Sequence, residues 1–119
     1  MSYGPDQILN GEGKSDYERY LKLSELLNLQ PVKETWKHRD ELLFTVVHQT
    51  SELWLKHATA EAGQAASFLA NNEIRPALRL FPRILLAIKY CHESLDMLEQ
   101  MSPWDYQQVR RALGHGSGF

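Results

Sequence analysis

Residues 40–56 read DELLFTVVHQTSELWLK, and this stretch decides the fold because its apolar side chains recur every three or four positions. The spacing predicts one long helix from about Arg39 to Asn71. One row on this helix, predicted to be core, consists of Leu43, Val47, Thr50, Trp54 and Ala58. A second row mixes aromatic, titratable and polar side chains, namely Phe44, His48, Ser51, Glu52 and Leu55. Core packing alone does not require that mixture, so the second row is a candidate for functional residues.

The sequence before this helix predicts a shorter helical segment. Residues 15–18, SDYE, form a capping-box pattern that starts a helix, with a break expected near Ser24. Pro31 disfavours helical geometry at the residue before it, so a connection follows. Residues 1–14 carry glycine and proline among polar residues and are predicted to be a flexible arm, which leaves 15–119 as one helical domain.

The sequence after Asn71 predicts a second long helix and a final short one. The second helix is expected to run to about Gln100 and either to start after Pro76 or to kink at Pro82. Its predicted buried row is Phe81, Ile84, Leu85, Ile88, Cys91, Leu95, Leu98 and Met101. Residues 102–105, SPWD, then supply an N-cap, a proline at N1 and a carboxylate at N3 for a helix that ends at Gly114.

These patterns predict an all-α bundle of long antiparallel helices, since no alternating run bounded by turn residues favours a β-sheet. A chain of 119 residues and 13.8 kDa has the size of one domain. Helices of this length leave apolar faces that a monomer cannot easily cover. We therefore expect a homo-oligomer.

Composition excludes several classes of partner. A formal net charge of −2 and a pI near 6.2 argue against nucleic acid and anionic membranes as partners. The apolar stretches are far shorter than the roughly 20 residues that cross a bilayer. Cys91 is the single cysteine, and residues 1–5 do not resemble a leader, so a cytoplasmic protein is expected.

Two side-chain pairs stand out as candidates for a binding site. Phe44 and His48 are four residues apart on one predicted helix, and Tyr106 and Arg110 repeat that spacing on another. Together they offer an aromatic wall, an imidazole, a phenol and a guanidinium, which suit a planar aromatic ligand with a carboxylate. Arginine binds a carboxylate through two parallel hydrogen bonds.

The sequence gives less support to a metal site or to a nucleophilic cysteine. The pairs His57 with Glu61 and His92 with Asp96 have helical spacing, but neither is the two-histidine pattern of a helical zinc site. No metal site is therefore predicted. Cys91 falls on the apolar row and is interpreted as a packing residue.

Residues 40–56 closely resemble the signature of the tryptophan 2,3-dioxygenase family. Further blocks in family order are YERYL at 17–21 with Leu26, Leu27 and Gln30, MSP at 101–103 with Tyr106 and Arg110, and Leu113-Gly114 with SGF at 117–119. The resemblance implies the N-terminal portion of the all-α tryptophan/indoleamine 2,3-dioxygenase-like fold. It also implies a haem-dependent, usually tetrameric cytosolic enzyme, which inserts both atoms of dioxygen across the indole C2–C3 bond of L-tryptophan to give N-formylkynurenine.

The resemblance assigns roles to individual residues. Phe44 would pack on the indole, His48 would be the catalytic candidate that hydrogen-bonds the indole N–H, and Arg110 would clamp the substrate carboxylate beside the Tyr106 hydroxyl. Further substrate contacts are implied for Thr45, Val46, Val47, Leu113 and Ser117, and from a neighbouring subunit for Tyr17, Tyr20 and Leu21. Contacts to haem b are implied for Phe44, His48, Ser117 and Gly118.

The resemblance also implies that the proximal haem histidine lies beyond Phe119. None of the other histidines matches that position; they are His38, His57, His92 and His115. Arg39, Ala60 and Leu95 depart from the family pattern. Related haem proteins with this scaffold act on modified indoles or on tyrosine derivatives, so either class is an alternative substrate.

The sequence is consistent with three interpretations. The chain is part of a haem dioxygenase, which we favour; or it is a non-catalytic helical module that oligomerises; or it binds haem or a small aromatic molecule without turnover.

Overall fold

A computed structural model of the chain describes residues 9–114, and every regular element in that range is helical. The α-helices are α1 (Asp16–Leu21), α2 (Leu23–Leu26), α3 (Glu41–Ala70), α4 (Ile74–Leu98) and α5 (Pro103–Leu113), and a short 3-10 helix covers Lys33–Thr35. The all-α prediction is therefore confirmed. Across these described helices, none combines the length and the apolar character needed to cross a bilayer. The chain divides into two compact units whose boundary in the sequence lies between Trp36 and Lys37.

The first unit begins as the capping pattern predicts. The Ser15 hydroxyl accepts the backbone N–H of Glu18 over 3.2 Å and caps α1. The break after α1 falls at Lys22, whose φ of 53° is left-handed, and not at Ser24, which lies inside α2. The Arg19 guanidinium donates to the carbonyls of Leu9 and Gly13, so residues 9–14 lie against α1.

In the second unit, α3 and α4 extend close to the predicted limits. Helix α4 begins at Ile74, two residues before the earliest predicted start. Pro76 then occupies the first turn, where its missing N–H costs no helical hydrogen bond. Pro82 lies inside α4, and the helix continues past it.

The two long helices pack side by side in opposite directions. The Ser51 and Ser94 hydroxyls are 3.0 Å apart, and about three helical turns further along, Arg83 approaches Glu61 at 3.5 Å. Residue numbers rise along α3 as they fall along α4, which is the pattern of an antiparallel helix pair.

Mostly small side chains form the seam between α3 and α4, together with the buried Leu80 of α4. The buried alanines at this seam are Ala58, Ala65, Ala77 and Ala87, and Ser51, Cys91 and Ser94 are half-buried beside them. On α3, Phe44, Ser51, Ala58 and Ala65 recur every seven residues, the period of a coiled-coil seam. Because the distance between helix axes depends on the side chains at the contact, this seam favours close packing.

The predicted core rows are partly wrong, because small side chains occupy most of the seam between the helices. Thr50 and Trp54, assigned to the core of α3, are exposed. On α4, Ile84, Cys91 and Leu98 lie at or near the seam, but four larger members of the row are exposed, namely Phe81, Leu85, Ile88 and Leu95. Exposed and buried residues both fit the helical period, and mostly small residues occupy the seam.

Helix α5 starts and ends as predicted. The Ser102 hydroxyl accepts the N–H of Asp105 over 3.0 Å, and Gly114 is the C-cap with a φ of 56°. Val109 of α5 is completely buried and clusters with Phe44 and Met101. This cluster fixes α5 against the first turns of α3, which is where the candidate site lies.

The seam generates a prediction about neighbouring alanines on α3. Ala65 is buried at the seam and Ala66 is exposed. Ala65→Leu should lower the free energy of unfolding by about 1–3 kcal/mol because the added atoms force the helices apart. Urea unfolding of the two variants measures this, with Ala66→Leu as the matched control; equal stability of both variants would contradict the seam.

Candidate functional site

Phe44 and His48 form a stacked pair on α3. Their ring centroids are 4.2 Å apart and their planes differ by 28°. The four-residue spacing places both side chains on one helical face. Phe44 is 4% exposed, whereas His48 is half-buried, so the imidazole is the more accessible member of the pair.

The backbone fixes the orientation of the His48 ring. Its Nδ1 lies 2.8 Å from the carbonyl oxygen of Phe44. A carbonyl can only accept, so Nδ1 carries the proton in this bond. In the neutral ring, Nε2 is then the hydrogen-bond acceptor. The arrangement presents an acceptor nitrogen beside an aromatic plane, which suits the N–H of an aromatic heterocycle.

Helix α5 brings Tyr106 to the same place. The Tyr106 and Phe44 ring centroids are 6.2 Å apart and the rings are tilted by 53°. Arg110 follows one turn later on α5 and is exposed, and Leu113 packs against the cluster of Phe44, Met101 and Val109. The two predicted pairs therefore lie on two helices that meet at Phe44.

The other residues predicted to contact substrate or haem differ in burial and in the unit to which they belong. Beside Phe44 on α3, Val47 is buried, Thr45 is half-buried and Val46 is exposed. Tyr17, Tyr20 and Leu21 lie in the first unit and are exposed on its surface. Ser117 and Gly118, like His115, fall outside the described residues. The roles assigned to all these residues stay predictions.

A hydrogen-bonded group beside the aromatic pair escaped the sequence analysis. The Nε2–H of His38 donates to the Asp105 carboxylate over 2.9 Å, and Nδ1 accepts the N–H of Asp40 over 2.9 Å. Glu41, buried at the start of α3, accepts the backbone N–H groups of Lys37 and His38. The sequence predicts Asp105 as a helix-start residue, but nothing in its spacing connects it to His38, which lies 67 positions earlier.

The same group places three potential metal-ligand atoms close together. One atom from each of His38, Asp40 and Asp105 lies within 4.8 Å of the others. Both ring nitrogens of His38 already have hydrogen-bond partners, so we interpret the group as a hydrogen-bond network.

The network changes the acidity of Asp105. Hydrogen bonds from His38 and then Ser102 favour the ionised carboxylate, and the charge of Arg39 acts in the same direction. The pKa of Asp105 is consequently lowered from its ordinary value of 3.8.

Comparison with known proteins identifies related chains. The family model described as tryptophan 2,3-dioxygenase matches residues 5–119. The chain is 35% identical over 115 residues to a tryptophan 2,3-dioxygenase of Myxococcus xanthus, covering 97% of this chain and 40% of that relative. It is 36% identical over 114 residues to one from an Arthrobacter species, covering 96% and 40% of the two chains, and 42% identical over 103 residues to one from Caulobacter vibrioides, covering 87% and 38%. No solved structure matches the chain significantly. The chain thus spans about 40% of the length of the curated relatives it matches.

The acidity of Asp105 generates a prediction about pH. Folding favours its ionised form, so the stabilisation is fully present above the ordinary pKa of 3.8 and is lost as the pH falls through the lower folded pKa. Asp105→Asn should therefore make the free energy of unfolding fall less steeply with acidification below about pH 4. Urea unfolding across this range measures the slope. Asp96→Asn, at an exposed position on α4, should keep the slope of the unaltered chain; an unchanged slope in Asp105→Asn would argue against the pairing.

Proposed function

The chain belongs to the tryptophan 2,3-dioxygenase family, and we propose that it supplies the substrate-facing part of a haem-dependent dioxygenase. The complete protein would cleave the indole C2–C3 bond of L-tryptophan, or of a related indole, to give N-formylkynurenine. Because the chain spans about 40% of the length of its relatives, the activity is proposed for the complete protein. A cytoplasmic location belongs to the same proposal.

The stacked pair of Phe44 and His48, joined to Tyr106 by ring contact, carries this proposal. An indole needs an apolar surface for its ring and an acceptor for its N–H. Phe44 provides an aromatic plane, and the Nδ1–H bond of His48 to the Phe44 carbonyl leaves Nε2 as that acceptor. His48 would thus hold the indole in one orientation, and holding a reactant in place is a large part of catalysis.

Arg110 is proposed to bind the carboxylate of the amino-acid substrate. Its guanidinium follows Tyr106 by one helical turn and is exposed on α5, so it lies on the helix that contacts Phe44. A guanidinium fits a carboxylate through two parallel hydrogen bonds. The Tyr106 hydroxyl would act beside it, and Leu113 would complete an apolar border.

The described residues fit the substrate side of a haem and not its proximal side. Phe44 and His48 offer an aromatic edge and a hydrogen-bonding imidazole of the kind that lines a distal pocket. His38 has both ring nitrogens in hydrogen bonds, and His57 and His92 are exposed on the long helices. The bound haem would activate dioxygen, and the proximal ligand is proposed to come from another part of the complete protein.

Exposed apolar side chains support a homo-oligomer, either a dimer or a tetramer, as part of the proposal. On α4 the exposed row is Phe81, Leu85, Ile88 and Leu95, and Leu85 alone is 66% exposed. On another face of α4, the ring of Tyr90 lies 5.0 Å from that of Trp54 on α3, and both residues are 40% exposed. Rows of exposed apolar side chains are typical of a protein interface. The same surface favours the second candidate function, a non-catalytic helical module that oligomerises.

Replacing Arg110 and His48 in the complete protein tests the substrate roles. Arg110→Ala should raise KM for tryptophan about tenfold or more, because a charge-assisted hydrogen bond contributes about 1.5–3 kcal/mol. His48→Ala should raise KM less and lower kcat more, because its proposed contact orients the reacting ring. Steady-state kinetics measures both constants, and Arg111→Ala, at the exposed neighbouring position, is the matched control. Equal effects of Arg110→Ala and His48→Ala on KM would count against the assigned roles.

An absorption spectrum of the complete protein with haemin separates the candidate functions. A Soret band together with formation of N-formylkynurenine supports the dioxygenase. A Soret band without product supports haem binding alone, and a stable multimer without a Soret band supports the non-catalytic module.

Replacing apolar residues of the exposed row on α4 by glutamate tests self-association. Leu85→Glu and Ile88→Glu should each raise the dissociation constant of the oligomer about tenfold or more, because a charge cannot be buried in an apolar interface without a partner. Sedimentation velocity over a range of concentrations measures the constant. Lys89→Glu changes charge next to Ile88 without removing apolar surface and should have a smaller effect; a monomer at all concentrations would exclude self-association of the chain.

A further inference from the structure

The contact between His38 and Asp105 joins two segments that are 67 residues apart in the sequence. The Nε2–H of His38 donates to a carboxylate oxygen of Asp105 over 2.9 Å, and the two side chains are only 16% and 22% exposed. His38 lies just before α3, and Asp105 lies in the first turn of α5. The bond therefore links the beginnings of the two helices that carry the candidate substrate residues.

The His38 side of this bond is fixed by its own backbone. The Asp40 N–H donates to Nδ1 of His38, so the proton of the neutral ring lies on Nε2 and faces Asp105. The buried carboxylate of Glu41 accepts the N–H groups of Lys37 and His38 and closes the turn that carries the imidazole. A buried carboxylate that satisfies two backbone donors holds this turn in one conformation.

The Asp105 side is fixed by the start of α5. Ser102 caps the helix by accepting the Asp105 N–H, and Val109, one turn after Asp105, is completely buried. A polar contact at Asp105 and an apolar contact at Val109 together define the rotation of α5 about its axis. Tyr106 follows Asp105 directly, and Arg110 follows Val109 directly. Any rotation of α5 thus moves both candidate substrate residues relative to Phe44.

We propose that His38 and Asp105 are a positioning pair, which sets the rotation of α5 so that Tyr106 and Arg110 face the carboxylate of the substrate. The pair does not itself touch the substrate. The proposal rests on the proposed function for the identity of the substrate, but its geometric part concerns only the placement of Tyr106 against Phe44.

Binding of two ligands to the complete protein tests the positioning role. Tryptophan and tryptamine share an indole, and only tryptophan has the carboxylate that Arg110 would bind. His38→Ala and Asp105→Ala should each weaken tryptophan binding about fivefold to tenfold and leave tryptamine binding within about twofold, since only the carboxylate contact is displaced. Isothermal titration calorimetry measures both affinities.

Conservative and double variants sharpen this test. His38→Gln keeps an N–H donor that can reach Asp105, and it should restore most of the affinity for tryptophan. The double variant His38→Ala/Asp105→Ala should be no weaker than either single variant, because the two residues act through one bond. The matched controls are His92→Ala and Asp96→Ala, the same residue types at exposed positions on α4, and both should bind like the unaltered protein. Equal loss of affinity for both ligands, or an equal effect in the controls, would overturn the proposal.

A spectroscopic measurement separates this proposal from the proposed function. If the unaltered protein binds neither tryptophan nor a related indole, the proposed function fails, and 3-fluorotyrosine placed at position 106 then reports the geometry alone. Its fluorine resonance is sensitive to the neighbouring ring of Phe44, so His38→Ala and Asp105→Ala should shift it and His92→Ala should not. An unchanged resonance in His38→Ala would overturn the positioning role whatever the ligand.

Discussion

Close packing of α3 against α4 through small side chains is the constraint on which the second unit depends. Alanine, serine and cysteine at the seam allow the two helices to run side by side over most of their length. Because small side chains make up most of the seam, several bulky apolar residues of α4 lie outside it, namely Phe81, Leu85, Ile88 and Leu95, whereas Leu80 is buried. Helix packing and a surface suited to self-association therefore follow from the same arrangement.

At one end of this helix pair, Phe44 belongs both to the core and to the candidate site. It is buried with Met101 and Val109, stacks on His48 and contacts Tyr106. A residue shared in this way makes the site sensitive to packing, since movement of the core would also move the proposed ligand surface. The polar network around Asp105 also limits the rotation of α5 about its axis, because hydrogen bonds define the rotation of a helix more narrowly than apolar contact does.

These features support a division of labour within the proposed dioxygenase. The described residues would bind and orient an indole amino acid, and other parts of the complete protein would supply the proximal haem ligand. The two units of the chain carry different proposed contacts: the second holds the aromatic pairs, and the first carries Tyr17, Tyr20 and Leu21 on its exposed surface.

Local sequence alone determined the helices and much of their limits. Ser15 and Ser102 cap helices as their sequence contexts predict, and the four-residue spacing placed Phe44 with His48 and Tyr106 with Arg110. Only the tertiary structure decided which residues of the helical period are buried, since Trp54 and Leu85 satisfy that period as well as Ala58 and Ala87 do. Nor could local spacing reveal that His38 meets Asp105. Capping and periodicity act between residues a few positions apart, whereas burial and the pairing of distant polar groups depend on which helices meet.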